Sequence, residues 1–253
     1  MEKATASFGF TEVPIQEKQA RVRGVFESVA SNYDIMNDVM SGGLHRLWKS
    51  HFVAQLPVRD GATLLDLAGG TGDISFRYLT RAKEKDVNAK AIISDINAAM
   101  LAEGQKRALN ENRHALGEIE FKEINAEAIP LPDHSIDAVT IAFGIRNVTH
   151  IDKALKEIYR VLKPGCPFYC LEFSPVETPV VRELYDAFSF HLIPKMGQLI
   201  ANDRDSYQYL VESIRRFPTA DDFAEMIESA GFERVSYEKL SAEIVAIHKG
   251  WKI

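Results

Sequence analysis

Two acidic residues, each at the end of an apolar run, are the residues best placed to do chemistry. They are Asp66 in Leu64-Leu65-Asp66-Leu67 and Asp95 after Ile92-Ile93-Ser94, 29 positions further on. Between them lies a turn, Ala68-Gly69-Gly70-Thr71-Gly72-Asp73, whose glycines let the backbone approach a ligand that a Cβ would push away. An acid closing the second strand can accept hydrogen bonds from both hydroxyls of a ribose. The pattern implies a nucleoside-cofactor site. A dinucleotide fingerprint needs a third glycine, but that register ends on Ser75, and Asp73 in the first helical turn would repel a pyrophosphate. A phosphate-free ligand with an amino acid end and a sulfonium, S-adenosylmethionine, suits the turn better. A dinucleotide, or a glycine turn that holds no ligand, stays open on the turn alone.

The surrounding elements must hold these residues on one rim. Strands are expected at 63–67, 89–94, 119–124, 136–143 and 167–173, with helices at 72–83, 97–112 and 151–162. This alternation implies a mostly parallel sheet with right-handed crossovers and ligands at the carboxyl ends of the strands. That rim carries Ala68–Gly72, Asp95, Asn125-Ala126 and Phe143–Asn147. Before it, residues 1–19 read as a flexible arm and Lys18–Ala30 as a helix. After it, Pro179–Ile193 reads as a helix interrupted by Pro194 and Gly197. Helices at 205–215 and 219–230 follow, then a hairpin of strands near 233–240 and 243–248. The expectation is one α/β domain over 20–253, with a helical lid made from about 20–55 and 178–217.

Composition excludes several classes. At 46% hydrophobic residues, 253 residues can bury one good core, and the formal charge of −6 argues against a nucleic-acid binder. Cys166 and Cys170 have no second pair and the seven histidines form no ligand cluster, so buried free thiols are expected rather than a metal. No run of 18 apolar residues is present, and the N-terminus lacks the form of a signal or transit peptide. A cytoplasmic location is the expectation, with peripheral contact at the inner membrane.

Further blocks carry a resemblance. The loop Asp66–Asp73 is similar to the cofactor loop of class I S-adenosylmethionine-dependent methyltransferases. Tyr33–Trp48, Phe143-Gly-Ile-Arg-Asn-Val148, Leu171-Glu-Phe-Ser174, Ala201–Tyr207 and Val245–Gly250 closely resemble the UbiE family, the C-methyltransferases of ubiquinone and menaquinone biosynthesis. The resemblance runs from about Val25 to Ile253 and implies a Rossmann-like methyltransferase fold. It places Gly70 and Thr71 in the loop holding the methionine end of the cofactor, Asp95 at the ribose, and Asn125-Ala126 beside the adenine. Ala68 stands at the first glycine of the wider class pattern, and Ala142 where some members carry a cofactor-contacting serine.

The implied acceptor is a reduced polyprenyl benzoquinol or naphthoquinol whose ring carbon takes the methyl group. Carbon is a poor nucleophile unless the neighbouring phenol is ionised, so such a site must stabilise an oxyanion and exclude water. Arg146 is the expected oxyanion partner, Asn147 would orient a hydroxyl or a water, and Tyr33 is the catalytic candidate from the lid, with Asp34 and His45 beside it. The competing reading makes Arg146 a structural arginine tied to an acid on the lid, such as Glu172. Leu184, Phe188, Phe190, Leu192 and Ile193, near Lys195, form either an apolar entrance touching the membrane or a core helix. Partners beyond the quinol would be a quinone-biosynthesis complex or a second copy. The rivals are a methyltransferase acting on oxygen or nitrogen, a donor-binding scaffold without turnover, and a nicotinamide-dependent dehydrogenase.

Overall fold

In the computed structural model the chain builds a seven-stranded sheet, and residues 5–30, 33–201 and 203–253 are described. Side chains at a few lid positions, among them Tyr33, Asp34, Leu184 and Leu192, lie outside that description. Five strands carry the Rossmann-like half: β3 (Ala62–Leu67), β4 (Ala89–Asp95), β5 (Glu118–Glu123), β6 (Ala138–Ala142) and β7 (Pro167–Phe173). With β8 (Glu233–Leu240) and β9 (Val245–Trp251), they lie in the order β5-β4-β3-β6-β7-β9-β8. The first five run parallel; β9 pairs antiparallel with both β7 and β8. The strand order reverses between β3, paired to β4, and β6, and at such a switch point the strand ends diverge and open a crevice.

The sheet is buried on both faces because side chains alternate along each strand. Leu64, Ala91, Leu171 and Ile247 belong to one core with α3 (His45–Gln55), α4 (Asp73–Glu84) and the lid helices. Leu65, Ile92, Val139 and Phe168 face α6 (Ile151–Val161) and α10 (Ala220–Ser229). Ser75, where a third glycine would stand, donates to the Asp66 carboxylate at 2.9 Å and pins α4 to β3.

The N-terminal expectation is corrected. Residues 5–8 and 11–14 form a β-hairpin, β1 and β2, and α1 (Ile15–Val29) starts directly behind it. Gly9 at φ +60° supplies the turn, and Phe8 stacks on Tyr209 with ring centroids 4.2 Å apart. Burial of this ring, not the short strands alone, holds the segment down.

The second correction concerns the C-terminal lid. Pro194 and Gly197 do not break it, because both lie inside α8 (Ile193–Ala201). This helix continues α7 (Pro179–Ala187) through a π-helical turn at Phe188–Leu192. Pro194 comes just after that π-helical turn, where the regular i→i−4 bonding is already interrupted and a missing N–H is tolerated. Gly197 is a contact: a Cβ there would sit 2.4 Å from the Tyr207 ring on α9 (Arg204–Arg216). The described members of the apolar stripe face inward, with Ile193 fully buried and Phe188 and Phe190 packed on the core. They form a core helix rather than an open entrance, and exposed apolar side chains lie instead at Ile35, Leu44, Leu47 and Val180. Among the described residues, no helix is long and apolar enough to cross a membrane.

Candidate active site

A cleft spanning about 810 Å³, its open mouth included, lies at the switch point, where open α/β sheets place their ligands. Ala68 and Gly70 from the turn after β3, Asp95 from the end of β4, Asn125 and Ala126 beyond β5, and Phe143 and Asn147 beyond β6 all line it. Thr71 is buried in the same turn but does not line the cleft. Ala68 and Phe143 adopt φ of +50° and +58°, a conformation that side chains other than glycine rarely take. Such backbone strain at two adjoining strand ends concentrates where a ligand is clamped.

The cradle is shaped by what is missing. At Gly70, φ +51°, a Cβ would lie 2.9 Å from the Met100 Cε and 3.8 Å from Asp95, inside the space a ligand would use. Asp95 is fixed by two backbone donors, Asn97 N at 2.9 Å and Gly70 N at 3.1 Å. Burial pushes its carboxyl up to about 6 despite those bonds. Asn125 caps its own turn, accepting from Glu127 N at 2.9 Å. Asp73 does not line the cleft; it meets Lys49 Nζ at 3.1 Å and Arg77 Nε at 2.9 Å. Burial alone would raise its carboxyl, but these two cations hold it at about 2. The acid that counts against a pyrophosphate is thereby neutralised by the lid and its own helix.

Arg146 is not where the sequence placed it. Its guanidinium lines a second cavity behind the Phe143–Val148 loop, bonded to Glu172 Oε1 at 2.7 Å, the Phe143 carbonyl at 2.6 Å and Ser213 Oγ at 3.3 Å. Glu172 lies on β7 rather than on the lid, and burial raises its carboxyl even with the Arg146 charge against it. The competing structural reading of Arg146 therefore describes its contacts. Asn147 does face the cleft. Its Oδ1 accepts from Tyr209 Oη at 2.9 Å, which leaves its amide N–H groups without a partner among the described residues. His45 lines neither cavity; its Nε2 meets Asp38 at 2.8 Å, while its buried Nδ1 has no hydrogen-bond partner among the described residues. Tyr33 opens α2 (Tyr33–Ser41), and its side chain lies outside the described residues. Cys166 and Cys170 are unlinked and buried, and burial pushes both thiols up.

The sequence places most of α1 in the lid but does not mark it as a wall of the cofactor cleft, which Gln19, Val22, Arg23 and Phe26 line. The helical spacing of Val22 and Phe26 was visible, but a stripe of that kind signals burial without saying against what. Tyr209, which orients Asn147, carried no local signal because it lies 62 positions away.

The model of the ubiE/COQ5 methyltransferase family matches residues 15–252. This chain belongs to that family. The ubiquinone/menaquinone biosynthesis C-methyltransferase UbiE of Bartonella henselae is 57% identical over 98% of this chain and 94% of its own length. That of Rhodopseudomonas palustris is 56% identical over 98% of each. Among solved structures, a SAM-dependent methyltransferase from Aquifex aeolicus superposes with a TM-score of 0.60 at 17% identity, covering 90% of this chain and 98% of that one. The fold is that of the class I methyltransferases, the chain is a methyltransferase, and its methyl donor is S-adenosylmethionine. The residues present fit that donor: the Gly70 cradle, the fixed Asp95 carboxylate and the Asn125-Ala126 edge share one cleft.

Proposed function

We propose that this chain methylates a ring carbon of a reduced polyprenyl benzoquinol or naphthoquinol, within the biosynthesis of ubiquinone or menaquinone. The observation that carries the reading is one cleft lined by both Asp95 and Asn147, with the Asn147 Oδ1 held by Tyr209 so that its amide N–H groups stay available. S-Adenosylmethionine supplies an electrophilic methyl on its sulfonium. Asp95 would hold the ribose, Asn125 and Ala126 the base, and Gly70 and Thr71 the turn that admits the methionine end.

A free phenol ionises near pH ~10, so about three units of help, roughly 4 kcal/mol, bring the phenolate within reach at neutral pH. The Asn147 amide would donate to that oxygen in the transition state. Phe143 closes the cleft with Trp48 and Phe173 behind it, centroids 6.3 and 4.8 Å away, forming an apolar wall that keeps water out. Arg146 would act through the loop: with its charge met by Glu172, it positions Phe143 and Asn147 rather than touching the quinol. Tyr33 is assigned the lid's part in relaying the proton lost from the methylated ring. Because a polyprenyl substrate resides in the bilayer, turnover would take place at a membrane surface.

The test is turnover with methyl-labelled donor and two short-prenyl acceptors, a methoxy-benzoquinol and a demethylmenaquinol, each kept reduced. Label on ring carbon, lost when the quinones stay oxidised, is the expected result. Label on oxygen or nitrogen would overturn the reading, and so would no transfer to either acceptor.

A further inference from the structure

The helix α1 closes one side of the cofactor cleft, yet few groups fasten it there. Beyond the apolar contact of Val22 and Phe26, the polar ties to the cleft's two rims are small in number. On the β4 side, Asn97 Nδ2 donates to the Arg23 carbonyl at 3.3 Å, and Arg23 reaches the Ile96 carbonyl at 3.5 Å. On the β6 side there is, among the described residues, a single polar tie: Lys18 Nζ donates to the Val148 carbonyl at 3.2 Å.

That tie is unusual in its setting. Lys18 is 8% exposed, and no carboxylate lies within ion-pair distance among the described residues. Burial pulls its ammonium below the ordinary lysine range, with only the more distant Glu127 and Glu12 acting the other way. A buried, unpaired ammonium is costly unless its hydrogen bonds matter to the folded chain. Its acceptor is equally well placed. Val148 and Thr149 line both the cofactor cleft and the second cavity, so they form the wall between them. This wall is gripped from the other side by Glu127, whose Oε1 accepts from Thr149 N and His150 N at 3.1 Å each. Asn147, next in line, is held by Tyr209.

We propose that Lys18 is a positioning residue that latches α1 across the bound methyl donor, so that donor entry and product release require the Lys18–Val148 bond to open. The inference rests on the reading of the cleft as the donor site. With the latch shut, Gln19, Val22 and Phe26 complete the walls around the ligand and Val148 is fixed beside Asn147. With it open, α1 keeps its ties on the β4 side and those of Ser28 to Asp203 and Ser206 near α9, but loses its polar tie to the β6 rim, from which the cleft then becomes accessible.

The experiment measures S-adenosylhomocysteine affinity and dissociation rate by calorimetry and stopped flow, together with steady-state turnover, for wild type, Lys18→Met and Lys18→Arg. Losing a charge-assisted hydrogen bond that counts mainly in the closed state predicts roughly tenfold weaker product binding for Lys18→Met. Dissociation should accelerate, and the donor KM should rise while kcat at saturating donor stays within about twofold. Lys18→Arg should recover most of the affinity. A general loss of structure would lower kcat and the unfolding midpoint together and would not produce that split. Hydrogen exchange on the wild type gives a readout that needs no variant: α1 amides should slow when product binds. Unchanged affinity in a folded Lys18→Met, or α1 exchange indifferent to product, would overturn the latch. Wild-type protein that binds neither donor nor product would overturn the donor site itself and the latch with it.

Discussion

Asp95 accepts from two backbone N–H groups with one oxygen each, which leaves its remaining lone pairs for a ligand. Asp95→Asn keeps the size but loses one acceptor and the charge. The donor KM should rise about 10- to 100-fold, the range for a hydrogen bond to a charged group, with kcat changing less. Equilibrium binding of S-adenosylhomocysteine checks this independently of turnover. Asp95, Gly70 and Asn125 were legible in the sequence because a strand end and a tight turn are local patterns. The contacts of Arg146 were not: Glu172 lies 26 positions away, and only the pairing of β6 with β7 brings the two together. The residue type told us to expect a cation at the rim, but nothing local told us which way it would turn.

The loop from Phe143 to Val148 owes its shape to that buried pair, so its energetics belong to the element. Removing one partner leaves the other charged, buried and alone. Arg146→Met should therefore cost about 3–5 kcal/mol in urea unfolding, whereas a double replacement of Arg146 and Glu172 by apolar residues of similar volume should cost less than either single change. If the double variant is as unstable as the sum of the singles, the pair does not act as a unit. The regular elements were legible from period and punctuation, and β7 appears at the expected bounds. Two features were not. The hairpin β1–β2 reads as an arm because four-residue strands carry little periodicity and are held by a ring 201 positions away, Phe8 on Tyr209. Pro194 and Gly197 read as breakers because sequence alone shows neither the π-helical turn just before the proline nor the Tyr207 ring that requires glycine.

For the molecule as a whole, the acid under the glycine turn sets a pH dependence. Asp66 is fully buried at the centre of the sheet, accepting from Thr140 Oγ1 at 2.8 Å and Ser75 Oγ at 2.9 Å, and burial raises its carboxyl to about 6. A carboxyl held above its unfolded value gives stability that is fully present below about pH 4 and is lost as pH rises through 6. The difference between about 6 and the ordinary carboxyl value of 3.8 corresponds to about 3 kcal/mol. Between pH 7 and pH 4, wild type should gain most of that relative to Asp66→Asn in paired denaturant titrations. A constant offset between the two proteins across that range would contradict it.

The antiparallel end of the sheet bears on how the chain is made. β9 lies between β7 and β8, so the carbonyls and amides of β7 on that side find partners only once residues 245–251 exist. Strands β3 to β7 can pair as they emerge from the ribosome, but the nascent sheet carries an open hydrophobic edge throughout synthesis of the seventy-odd residues between β7 and β9. A nascent chain stalled before Val245 should be the species that chaperones hold and that aggregates when they are scarce.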